Sequence, residues 1–178
     1  TDTQDAQGQV IAAGENYPDE AALRKHSRPV TVFDSRIHKM LDDMTETLKD
    51  SGGVGLAAPQ VGILRRMVVI EREDGSILEL INPEVIATEG EQTGAEGCLS
   101  LPGVWGEVTR PMTVTVKALD RNGSPFTETA SGLIGRCFVH ECEHLDGILF
   151  VDRADHIFTQ EELEQMDEDA PEEEETEA

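Results

Sequence analysis

Ser131-Gly132-Leu133-Ile134-Gly135-Arg136-Cys137-Phe138-Val139-His140-Glu141-Cys142-Glu143-His144-Leu145-Asp146-Gly147 is the stretch around which the rest of the chain can be read. It fits a helix from Ser131 to Leu145. Ser131 stands where a capping hydroxyl is wanted, and Gly147 where a left-handed residue follows a helix end. Leu133, Ile134, Cys137, Phe138 and Leu145 make the helix apolar enough to be largely buried. Within it lies His140-Glu141-Cys142-Glu143-His144. Positions i and i+4 share a helix face, so two imidazoles there suit one metal ion, with Glu141 placed to accept a proton from water. An H-E-x-x-H pattern arises by accident in a chain of this composition with a probability of about two per cent. Two histidines and a carboxylate on a buried face are costly without a partner, and a metal ion supplies one.

Upstream, a helix is expected to follow Asp34 or Ser35, either of which suits a cap. Ile37, Met40, Leu41, Met44 and Leu48 form one apolar stripe on it, and Ser51-Gly52-Gly53 stops it. Gly53-Val54-Gly55-Leu56-Ala57-Ala58-Pro59-Gln60 is neither helix nor clean strand. Strand-like runs follow at Met67 to Ile70, Ile77 to Ile81 and Thr113 to Leu119, punctuated by Asp74-Gly75 and Asn122-Gly123. A short third helix is expected from Thr159, where Thr159-Gln160-Glu161-Glu162 reads as a capping box and Leu163 and Met166 face the body. Mixed strands with one central helix indicate an α+β domain: antiparallel strands packed around a central metal-binding helix, with a flanking N-terminal helix.

The chain has 178 residues, enough for one hydrophobic core. Residues 1–166 are assigned to one catalytic domain. Thr1 to about Pro29 is polar and expected to wrap the surface or be partly disordered, residues 1–18 above all. Residues 167–178 form an acidic run that cannot bury enough area to offset its ordering, so a disordered tail is expected. With 37 acids against 14 bases the net charge is -23, which disfavours nucleic acid and anionic membrane surfaces. No apolar run suits a membrane span, and no secretory pattern opens the chain. Three cysteines without a repeated spacing suggest a reducing, cytoplasmic setting in which a special cysteine serves as ligand or nucleophile.

Two histidines leave a metal site one protein ligand short. Spacing leaves the third open between Glu164, in the short C-terminal helix, and Cys98, in Glu96-Gly97-Cys98-Leu99-Ser100. Cys142 points to another helix face, and Cys137, three residues before His140, fits equally well as core.

Three segments in order, Gly53 to Gln60, Glu96 to Ser100 and His140 to Gly147, together resemble the peptide deformylase family. Weaker similarity extends the resemblance over roughly Asp19 to Phe158. Two positions depart from the common pattern: Glu143 stands where aspartate is usual, and Val139 where glutamine often precedes the first histidine.

The resemblance implies that Cys98, His140 and His144 hold one divalent metal ion, with Fe(II) favoured and Zn(II), Ni(II) or Co(II) possible with this donor set. It implies hydrolysis of the N-formyl group of N-terminal formyl-methionine, with Glu141 as general base and acid. The Gln60 side-chain amide and the Leu99 backbone N–H are implied as oxyanion donors. Gly55 is implied to leave room for substrate backbone, and Val54, Leu133 and Cys137 to line the methionine pocket. The partners implied are N-formylmethionyl peptides, nascent chains near the ribosome, with a monomeric enzyme that binds neither nucleic acid nor membrane. Glu96 and Arg110 are expected to pair in support of the Cys98 strand.

Overall fold

The computed structural model describes residues 20–98, 100–159, 161–162 and 164–165. Its helices are α1 (Glu20–Leu23), α2 (Ser35–Ser51) and α3 (Gly132–His144). Its strands are β1 (Gly55–Ala57), β2 (Met67–Glu71), β3 (Ile77–Glu89), β4 (Gln92–Cys98), β5 (Leu101–Arg110), β6 (Thr113–Leu119), β7 (Pro125–Ser131) and β8 (Ala154–Thr159). One sheet runs β1-β2-β3-β6-β7 and the other β4-β5-β8, with every strand pair antiparallel. The mixed α and β character with antiparallel sheets is as expected from the sequence.

The five-stranded sheet carries a helix on each face because β2 is apolar on both sides. Val68 and Ile70 join Leu78, Leu80, Val114, Val116 and Ala118 against Cys137, Phe138 and Leu145 of the α3 segment. Met67 and Val69 turn the other way, with Ile81 and Leu56, onto Ile37, Leu41, Met44 and Leu48 of α2. Alternate residues of a strand point to opposite faces, so a continuous Met-Val-Val-Ile run is what two-sided burial requires.

α2 begins as its sequence indicates. The Asp34 carboxylate caps it, accepting from Arg36 N at 3.1 Å and Ile37 N at 3.4 Å. Gly52, at φ +75, ends it. At α3 the expected cap is absent. Ser131 is the last residue of β7, and its hydroxyl shares a 2.8 Å hydrogen bond with Thr113, its partner across the β6–β7 ladder. Sheet pairing directs that side chain away from the helix N-terminus. Nor is α3 buried throughout, since Leu133 is 58% exposed.

The stretch from Glu20 to Val30, expected to wrap the surface or be partly disordered, is anchored: Leu23, Ser27 and Val30 are buried, and Arg28 bridges to Arg65. Gly147 explains part of that anchoring. It has φ +77, and a Cβ there would lie 2.2 Å from the Arg24 carbonyl oxygen. We expect Gly147→Ala to add about 1–2 kcal/mol of left-handed strain to that clash. Thermal unfolding should show a Tm lowered by roughly 2–8 °C.

β3 passes beyond Ile81 through Asn82, at φ +53, whose side chain bonds both the N–H and the carbonyl of Val30 at 2.9 Å. Thr159 ends β8, and residues 161, 162, 164 and 165 are helical, as a short helix after Thr159 requires. Leu163, Met166 and the two stretches expected to be disordered, 1–18 and 167–178, lie outside the described residues.

Candidate active site

Two chain segments converge on α3. The β4–β5 hairpin brings in Cys98, which pairs with Leu101 across its tip. The 3-10 turn Ala58–Val61 after β1 brings in Gln60. α3 itself presents His140, Glu141 and His144, all buried.

Cys98, His140 and His144 offer ligand atoms within 4.8 Å of one another, and Cys98 Sγ lies 3.3 Å from His144 Nε2. Among the described residues no other cluster of this kind forms. Glu164, the competing third ligand, is exposed and outside this group. His140 is oriented by Glu96, whose Oε1 lies 2.9 Å from Nδ1, turning Nε2 toward the cluster. Glu141 Oε1 and His144 Nδ1 are buried without a hydrogen-bond partner among the described residues. One sulfur and two ring nitrogens, with an orphaned buried carboxylate oxygen alongside, fit a four-coordinate transition-metal site with a position left for solvent. Burial pushes the Glu141 carboxyl up to about 7, where a proton carrier serves near neutral pH.

Gln60 is fixed at both ends of its amide. Oε1 accepts from Ala57 N at 2.9 Å, while Nε2 donates to Ser100 Oγ at 3.2 Å and lies 3.5 Å from Cys98 Sγ. The oxygen being occupied by its own turn, the NH2 group is left facing the cysteine. Leu99 lies outside the described residues.

A cavity of about 580 Å³ opens onto the cluster, and Val54, Gly55, Leu133 and Cys137 are among the residues lining it. Gly55 is required for a reason beyond access: a Cβ there would meet Cys137 Sγ at 2.5 Å and the Glu141 side chain at 3.0 Å. β1 therefore presses directly on α3 at the level of the cluster.

A polypeptide deformylase family model matches residues 15–160. The chain belongs to the peptide deformylase family. It is 53% identical to a peptide deformylase of Caldicellulosiruptor bescii over 149 residues, 84% of this chain and 89% of that one. To peptide deformylase 1 of Bacillus subtilis it is 47% identical over 146 residues, 82% of this chain and 91% of that one. Among solved structures, a Legionella pneumophila peptide deformylase superposes with a TM-score of 0.75 at 38% identity, covering 90% of this chain and 98% of that one. One from Synechococcus elongatus, in complex with actinonin, superposes at 0.76 with 36% identity, covering 94% and 88%. Membership of the peptide deformylase family makes the chain a hydrolase that removes N-formyl groups from nascent peptides.

Peptide deformylases are metalloenzymes, and the surroundings of the Cys98 cluster are built as a charge lattice. Glu96 receives Arg110 through Nε and one terminal nitrogen, each at 3.0 Å, and Arg136 at 2.6 Å. Burial alone would raise the Glu96 carboxyl, but the hydrogen bonds from His140 and Arg110 outweigh it and hold the group well below the usual carboxylate range. Arg110 also reaches Glu143 at 2.8 Å, and Glu143 accepts from Arg153 at 3.0 Å. Glu143, a departure from the family's common aspartate, thus still supplies a carboxylate to the arginine behind the cysteine strand. Val139, the other departure, packs on the apolar cluster beneath α3.

The Glu96–Arg110 pair was expected from the sequence; Arg136, Ser100 and Arg153 were missed. Arg136 had a signal: a charged residue four before His140 on a helix face otherwise expected to be apolar. Because both partners are buried, we expect a Glu96/Arg110 double-mutant cycle in unfolding free energy to show coupling of about 1–3 kcal/mol. Additive single-mutant effects would show the pair to be idle.

Proposed function

We propose that the chain hydrolyses the N-formyl group of N-terminal formyl-methionine on new polypeptides, at a divalent ion held by Cys98, His140 and His144. The single observation that carries this reading is the gathering of one sulfur and two ring nitrogens within 4.8 Å, beside a buried and otherwise unpaired Glu141 oxygen. When bound, the ion supplies Lewis acidity and makes water nucleophilic near neutral pH. The donor set suits Fe(II), Zn(II), Ni(II) or Co(II), and the family resemblance favours Fe(II).

Glu141 accepts the proton of the attacking water as the new C–O bond forms at the formyl carbon. Negative charge then develops on the formyl oxygen, and the Gln60 NH2 group, held by Ala57 at its other end, turns the N–H that faces Cys98 Sγ to donate to it. The backbone N–H of Leu99 is assigned as a second donor by family resemblance. Glu141 returns its proton to the leaving nitrogen as the C–N bond breaks, giving formate and a free amine. Glu96 keeps His140 in one orientation throughout. The methionine side chain is assigned to the part of the cavity lined by Val54, Leu133 and Cys137, with Gly55 leaving space for substrate backbone.

Nascent chains near the ribosome are the assigned partners, and the working form is assigned as a monomer of one catalytic domain, 1–166, followed by an acidic tail. No helix among the described residues is long and apolar enough to cross a membrane. The deciding experiment is anaerobic purification with metal analysis, followed by a formate assay on a short formyl-methionyl peptide. We expect one metal ion per chain and formate release. Stoichiometric metal without formate release would reject the reading.

A further inference from the structure

The face of α3 that lines the cavity reads Leu133, Arg136, Cys137 and His140, at helical spacings of three and four residues. Arg136 and Cys137 therefore sit about one helical turn, roughly 5.4 Å along the axis, from His140 on the way to Leu133 at the rim. Three of these side chains suit an apolar or aromatic neighbour, and Arg136 does not.

Arg136 is only 7% exposed. One terminal nitrogen is taken on both sides, by Glu96 Oε2 at 2.6 Å and the Val108 carbonyl at 3.3 Å. A guanidinium carries five N–H donors, so the Nε and the second terminal nitrogen hold three more. These have no hydrogen-bond partner among the described residues. The second terminal nitrogen runs beside Gly94 of β4, which has no side chain to cover it; a Cβ there would lie 3.5 Å away. Arg136 lines the cavity together with Leu133 and Cys137, and these nitrogens are not fully buried, so a fixed donor edge is available to the space assigned to the substrate's first side chain.

We propose that Arg136 makes this pocket accept a hydrogen-bond acceptor near the end of the first side chain, so that N-terminal formyl-methionine sulfoxide is a substrate alongside formyl-methionine. This rests on the methionine pocket assigned above. Methionine oxidation places a polar oxygen on the side chain at the sulfur, and an apolar pocket would strip that oxygen of water without compensation. Arg136 offers it N–H groups instead. The ligand chemistry selected is a neutral acceptor, because the Glu96 carboxylate bonded to the guanidinium would repel an anionic side chain.

The test compares three formyl tripeptides that differ only in the first residue, methionine, norleucine or methionine sulfoxide, with the metal-loaded full chain. Norleucine has methionine's length and no acceptor. We expect wild-type kcat/KM for the sulfoxide to lie within about tenfold of that for norleucine. Arg136→Leu should lower the sulfoxide-to-norleucine ratio by about thirtyfold or more. That substitution also loosens Glu96, which lowers all three rates together and cancels in the ratio. A wild-type sulfoxide rate more than about a hundredfold below norleucine overturns the proposal, even if Arg136→Leu fails to fold. An unchanged ratio in a folded, active Arg136→Leu overturns it equally. Failure to turn over norleucine rejects the assigned methionine pocket itself, and this proposal with it, whereas acceptance of norleucine alone rejects only the role of Arg136.

Discussion

Cys98→Ala is expected to abolish formate release because it removes one of three ligands from a site with no replacement at hand. Glu164 is exposed and away from the cluster, and Cys137 Sγ packs at Gly55, where burial pushes its thiol well above the ordinary cysteine range. A thiol held protonated is a poor ligand, since the thiolate is the binding form. Metal content measured after gel filtration should fall from one ion per chain to well below half. The core does not depend on Cys98, which is only half-buried at a hairpin tip, so the far-ultraviolet circular dichroism should be unchanged. Full metal retention would point instead to an endopeptidase-like site completed by a carboxylate. An acidic binding module with structural histidines would hold no stoichiometric metal even before substitution.

Glu141→Ala should give the opposite pairing: full metal content with formate release lowered by about 10²–10⁴-fold. The carboxylate is a proton carrier in this scheme and none of the three ligands, so its loss leaves the coordinating atoms in place. Glu141 is buried and one of its oxygens is unpaired, so removing the group deletes an unsatisfied charge rather than a structural bond. Thermal stability should therefore hold or rise, separating a chemical loss from a folding loss. Near-normal turnover by this variant would reject the assignment of Glu141 as base.

Much of this could be read in the chain before its fold. α2 is legible because Ile37, Leu41, Met44 and Leu48 repeat at helical spacing and each is buried. α3 is legible because a histidine pair at i and i+4 has meaning only on a helix. β4 and β5 were not legible as strands. They carry glycine at 94, 97, 103 and 106, which local preference disfavours in strands. The reason lies in residues distant in the chain or across the hairpin. A Cβ at Gly97 would strike the Trp105 ring at 2.6 Å, and one at Gly106 would strike Ala154 at 2.8 Å. The hydroxyl of Ser131 misled for a similar reason, since only the β6–β7 register reveals that Thr113 claims it. Cys98 as third ligand comes from family resemblance; spacing alone leaves it in competition with Glu164.

The strand Met67–Glu71 feeds both apolar clusters through alternate side chains, and this has a bearing on how the molecule comes apart. The clusters under α2 and α3 share a wall only one residue thick, so neither can be solvated without exposing the back of the other. The helix bearing the histidines and the helix that touches no part of the cluster should therefore open in one cooperative event. Amide hydrogens of Val68 and Val69 would then exchange only through global unfolding, at the slow limit set by the total stability of the domain.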